Sequence, residues 1–119
     1  MPLSKPAVRH QIVATVELQL AALRQDDWKR AYSFASTGFR HRIPQDVFVA
    51  LIRRSYPMVW KNARGDVGLP RDDGKMARVP VRVFGKEGSS AEYEYWLVKE
   101  STGWRITGVV PKLPDGPGT

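Results

Sequence analysis

The apolar residues change period near the middle of the chain, and that change most constrains the fold. In the first half they recur at steps of three and four. Val8, Ile12, Val16, Leu20 and Leu23 fall on one helical face. Asp26 and Asp27 suit the start of a second helix, striped by Trp28, Ala31, Tyr32 and Ala35. Gly38 predicts a left-handed stop after it. Pro44 suits the first turn of a third helix, with Val47, Phe48, Leu51 and Ile52 on its buried side. Pro57 predicts the end of that helix, because proline disfavours helix at the residue before it. In the second half the period falls to two. Val79, Val81 and Val83 alternate with Pro80 and Arg82. Tyr93, Tyr95 and Leu97 alternate with Glu94 and Trp96, and Trp104 and Ile106 alternate with Arg105 and Thr107. Turn chemistry separates these runs at Asp72-Asp73-Gly74, at Gly85 to Gly88 and at Glu100 to Gly103, which predicts antiparallel hairpins. A weaker strand is expected from about Val59 to Leu69. Pro80 predicts an edge position or a bulge.

The order is three helices and then a four-stranded antiparallel sheet. That predicts an α+β fold with the helices on one face of a curved sheet. A chain of 119 residues is one domain on length. We expect it to span residues 1–112, with 113–119, rich in proline and glycine, as a flexible tail.

Composition removes several functions. The chain has no cysteine, so disulfides, thiolate catalysis and cysteine-ligated metals are excluded. His10 and His41 are too few for a histidine-rich metal site, and no metal or cofactor is expected. The longest apolar stretch, Ile12 to Leu23, carries Glu17 and Gln19, which suits neither a membrane span nor a secretory segment. A cytoplasmic location is expected, unless a leader has been removed. The net charge of +7 fits an acidic partner, nucleic acid or simple solubility.

The motifs that carry a family likeness lie along most of the chain. They are Asp26-Asp27-Trp28 with Ala31 to Ser36, then Phe48 and Ile52 to Pro57, and finally Gly103-Trp104-Arg105-Ile106-Thr107-Gly108. From about Val8 to Val110 the sequence resembles the nuclear transport factor two-like and ketosteroid isomerase-like superfamily. Within it, the sequence resembles an uncharacterised bacterial domain-of-unknown-function family, number 4864. Ser55 stands where that family would carry glycine at a helix end. The resemblance implies a cone-shaped, cystatin-like fold whose helices close one face of the sheet, and it implies no assigned chemistry.

In such a cone, inward aromatics either fill the core or line a pocket. A pocket bounded by Tyr32, Phe48, Tyr56, Tyr95 and Trp104 would take a small apolar or aromatic ligand with one polar end. Enzymes of the superfamily use an inward carboxylate as base. If Leu97 pairs with Ile106, then Tyr93, Tyr95, Leu97, Trp104 and Ile106 point inward. Glu94 then faces out, with Arg82 and Arg105 as its expected neighbours. No acid reaches the cone on that register, so no catalytic residue is assigned and the reading leans against an enzyme. An isomerase, cyclase or dehydratase is the alternative. The outward Trp96 and Val98 predict a homodimer through the sheet face. Arg40, Arg42, Arg53, Arg54, Lys61 and Arg64 form a candidate basic patch for an acidic partner. No nucleic-acid motif accompanies them, so nucleic acid is not expected, and a solvated surface is the plainer reading.

Overall fold

The structure is a computed structural model, and it describes residues 1–112. The tail expected at 113–119 lies outside the described residues. Five helices lead: α1 (Pro6–Arg24), α2 (Trp28–Ser33), α3 (Thr37–Arg42), α4 (Gln45–Ser55) and α5 (Pro57–Trp60). Five strands follow: β1 (Asn62–Val67), β2 (Arg71–Asp72), β3 (Met76–Gly85), β4 (Ser90–Glu100) and β5 (Gly103–Lys112). They form an open antiparallel sheet in the order β1-β3-β4-β5, with β2 beside β3. The fold class is α+β, as periodicity predicts, but three helices and four strands undercount it. Helices α3 and α5 have 6 and 4 residues, and β2 has 2, too short to display a period.

One core joins helices and sheet. Ile12, Val16, Leu20 and Leu23 of α1 pack with Val79, Val81, Val83, Tyr93, Tyr95, Leu97, Trp104 and Ile106, all buried. Gly65 on β1 permits this approach, because a Cβ there would collide with the Leu20 side chain. The stripe read for the third helix is narrower than expected. Phe48 and Ile52 are buried and Leu51 is half-buried, but Val47 is 47% exposed.

Asp26 and Gly38 exchange their expected roles. Gly38 lies inside α3 and stops nothing. Asp26, at φ 56, takes the left-handed residue that closes α1. The amide of Asp27 donates to Ala22 O at 2.9 Å, which completes that turn. Asp27 also caps α2, accepting from Arg30 N at 3.2 Å. Glycine usually holds a left-handed position, and aspartate tolerates it. Here the aspartate gains a partner, since Trp60 Nε1 donates to its Oδ1 at 2.6 Å.

The sheet keeps the predicted register. Leu97 faces Ile106, and a bulge follows, so Trp96 faces Gly108. The turns at Gly74, Gly88 and Gly103 each place a glycine at positive φ. Pro80 sits on an inner strand, but just past the last β1 pair, where Gly68 leaves room for the proline ring. β1 ends at Val67 opposite Val81, and Gly68 N donates to Pro80 O at 2.8 Å. Two extended segments cover free strand edges. Leu3 bridges Arg71, with Ser4 N donating to Pro70 O at 3.0 Å. Ala35 bridges Ile106 on β5, with Ser36 N donating to Ile106 O at 2.8 Å.

Candidate functional site

A pocket opens between α4 and the end of the sheet. Helix α4 contributes Phe48, Leu51 and Ile52 to its wall. These recur at three and four residues, so one helical face supplies all of them. The opposite wall is Tyr95 of β4 and residues 106–109 of β5. The bulge between Trp96 and Leu97 shifts this part of β5 by one residue, which sets Val109 opposite Tyr95. The chain turns from α4 into α5 at Tyr56-Pro57, and Tyr56 lies at the pocket wall there. Its hydroxyl donates to Val109 O at 2.9 Å, which ties the end of α4 to β5.

The cavity volume is about 80 Å³. An apolar cavity of roughly 150 Å³ admits benzene, so this one is tight. The lining holds no Asp, Glu, His, Lys or Arg. Two polar side chains in it are themselves buried. Gln19 is 5% exposed and donates through Nε2 to Ala31 O at 3.1 Å. Among the described residues no hydrogen bond reaches its Oε1. Tyr95 is 0% exposed, and its hydroxyl has no hydrogen-bond partner. Burial pushes the Tyr95 hydroxyl far above the usual tyrosine pKa, and the neighbouring Tyr93 and Tyr56 add to this. It therefore remains a neutral O–H. Tyr93 is raised for the same reason, with Tyr56 adding to its burial.

Of the five residues expected to bound a pocket, Phe48, Tyr56 and Tyr95 line this one. The other two lie elsewhere. Tyr32 donates to Ile43 O at 2.6 Å and Arg40 O at 3.1 Å, which fastens the connection from α3 to α4. Trp104 is 2% exposed in the core, its Nε1 is without a partner, and its carbonyl accepts from Thr15 Oγ1 at 3.1 Å. Periodicity told inside from outside for these two but not their depth. Periodicity does not single out Gln19. Its signal was a polar side chain within the apolar stretch of α1, one step from Ile12, Val16 and Leu20.

The six basic residues are all exposed and sit on several elements. Arg40 and Arg42 lie on α3, Arg53 and Arg54 on α4, Lys61 after α5 and Arg64 on β1. Arg53 stacks on Trp28 and Trp60 at 5.4 and 5.2 Å, and Lys61 lies 4.7 Å from the Trp60 ring centre. Arg64 covers Phe84 at 4.2 Å and pairs with Asp66 at 3.7 Å.

On the outer sheet face Trp96 and Val98 are half-buried. Glu94 pairs there with Arg78 at 3.7 Å, and Glu92 with Arg82 at 3.6 Å. Glu94 does face out, but its expected neighbours are corrected. Arg82 lies opposite Glu92, and Arg105 turns to the carbonyls of Trp104 and Thr102. Among the described residues no group of three His, Cys, Asp or Glu could hold a metal ion. Among them, no helix is long and apolar enough to cross a membrane.

These features define a small α+β domain with an uncharged apolar pocket between helices and sheet. A family model described as "Domain of unknown function (DUF4864)" matches residues 6–117, and the chain belongs to that family. The comparison with curated proteins finds no match. Among solved structures, the chain is similar to a SEC-C motif containing protein from Rhodopseudomonas palustris, known in solution. The two share 14% identity with a TM-score of 0.57, over 92% of this chain and 91% of that one. At that identity the likeness is one of fold.

Proposed function

We propose that this domain is a non-catalytic small-ligand-binding or accessory domain, built as a cone of the nuclear transport factor two-like, cystatin-like type. The observation that carries the reading is the composition of the pocket. An apolar wall with a few buried polar points is the usual form of a small-molecule site. Acid–base catalysis needs a titratable group within hydrogen-bond reach of the reacting atoms. Tyrosines apart, this lining offers none, so binding is favoured over an isomerase, cyclase or dehydratase. Tyr32 and Trp104 support the pocket from outside it; Phe48, Tyr56 and Tyr95 would touch the ligand.

The test is a titration followed by amide and methyl NMR, using phenol, toluene and cyclopentanone. Shifts confined to Phe48, Ile52, Tyr56 and Val109 are expected, and they should vanish in Leu51→Trp, which fills the space. Saturating probe with no shift at these residues would sink the reading.

A second reading concerns the other face of the sheet. Trp96 and Val98 follow Glu92 and Glu94 along that face, to one side of the two cross-strand ion pairs, which suits a self-complementary homodimer contact. Light scattering of the wild type and of Trp96→Glu tests it. A monomer in both would remove the dimer. Arg40, Arg42, Arg53, Arg54, Lys61 and Arg64 would then be the surface left for an acidic partner.

A further inference from the structure

The Tyr95 hydroxyl is the least satisfied group on the pocket wall. It is buried, it stays protonated, and no protein atom accepts from it. A buried donor without an acceptor is destabilising. Folded proteins keep few such groups, and a functional site is one place where they occur. Tyr56, beside it on the same wall, is not in this position, because its hydroxyl is already bonded to Val109 O.

Two further features restrict what could answer Tyr95. The lining has no charged side chain. A carboxylate or ammonium entering here would lose its hydration without gaining a counter-charge, which is strongly unfavourable. The buried Gln19 side chain offers its Oε1 and one N–H, since the bond to Ala31 O uses only one of the two hydrogens on Nε2. A water molecule needs two to four polar partners to be held well, and Tyr95 and Gln19 bring it only to the low end of that range. An oxygen carried on a small carbon skeleton needs fewer, and its carbons can pack on Phe48, Ile52 and Val109.

We infer that the ligand of this pocket is an electrically neutral small molecule whose carbonyl or hydroxyl oxygen accepts a hydrogen bond from Tyr95. This rests on the ligand-binding reading above. Tyr95 is sealed in the structure described, so the ligand reaches it as α4 moves outward. That helix can yield, because Phe48 and Ile52 are the only residues of its 11 that are buried.

Four probes of one skeleton test the inference by NMR titration: cyclopentanone, methylenecyclopentane, cyclopentanecarboxylate and cyclopentylammonium. Methylenecyclopentane replaces the carbonyl oxygen by a CH₂ group and keeps the shape. Cyclopentanone should bind about tenfold or more tightly than methylenecyclopentane, as the loss of one buried hydrogen bond implies. The two ions should not bind. Tyr95→Phe should remove the difference by weakening the ketone alone, with the hydrocarbon unchanged. Equal binding of ketone and hydrocarbon would overturn the inference and leave the ligand-binding reading standing. A preference that survives in Tyr95→Phe, or tight binding of either ion, would overturn it too. Absence of binding by all four would overturn both. Since Phe has the shape of Tyr, the folded state of the variant is verified by its unchanged amide spectrum away from the pocket.

Discussion

Tyr56 and Tyr95 are buried to different ends. Tyr56→Phe deletes the hydrogen bond to Val109 O and is expected to lower stability by about 1 kcal/mol. Tyr95→Phe deletes no hydrogen bond within the protein, so stability should stay level or rise by up to about 1 kcal/mol. Urea unfolding of both variants checks the pair, and a clear loss in Tyr95→Phe would show that the hydroxyl has a structural partner. Asn62 is the opposite case. It is 0% exposed, and its Nδ2 donates to Leu20 O at 3.0 Å and Val59 O at 2.8 Å. Its Oδ1 accepts from Arg24 Nη2 at 2.6 Å. Asn62→Ala removes the donor to two carbonyls and the Oδ1 acceptor of Arg24, whose Nε keeps the residue 62 carbonyl, and should cost about 3 kcal/mol by the same unfolding measurement. Nothing in the local pattern announces Asn62, because one polar residue at the start of a strand looks the same whether it bonds water or two carbonyls and a guanidinium. Asp26 looks like a helix start for a similar reason. Its bond to Trp60 spans 34 positions, and no short window contains both.

Among the elements, the strands were the most legible. Alternation fixed which residues of β3, β4 and β5 face the core, and glycine turns fixed the hairpins, so the Leu97–Ile106 pairing was readable. The bulge beside it was not, since an unpaired Thr107 changes no period within the strand itself. That bulge aligns the far end of β5 with the pocket, so the pocket's outline escaped the sequence even though its lid did not. Helix α4 is that lid, and its attachment is slight for its length. Ile52→Ala removes one of its two buried residues and should cost about 3 kcal/mol. Hydrogen exchange should then quicken across residues 45–55 well before it does in β3 and β4. Uniform quickening would mean that α4 opens only when the whole domain does. In the turn between β2 and β3, the amides of Met76 and Lys75 hold the Asp73 carboxyl below its usual pKa of 3.8. A depressed pKa contributes stability above the ordinary value and loses it as pH falls through the lowered one. The amide signals of residues 75 and 76 should thus titrate with a midpoint below 3.8.

At the scale of the whole molecule, the buried tyrosines govern behaviour in alkali. In the unfolded chain Tyr95 ionises near 10.0, while in the fold burial holds it neutral to much higher pH. Its raised pKa gives stability that is fully present below 10 and lost as pH rises beyond it. The denaturant midpoint should fall between about pH 9 and 11, less steeply in Tyr95→Phe, and a slope unaltered by that variant would exclude Tyr95 as the cause. The two short bridges at the sheet margins matter at this scale as well. Residues ahead of α1 lie along β2 like tape on a cut edge. Anyone who trims them for convenience, or fuses a bulky tag against them, leaves strand hydrogen-bonding groups bare. Such a preparation should gather into thioflavin-positive assemblies on storage while the intact chain stays clear.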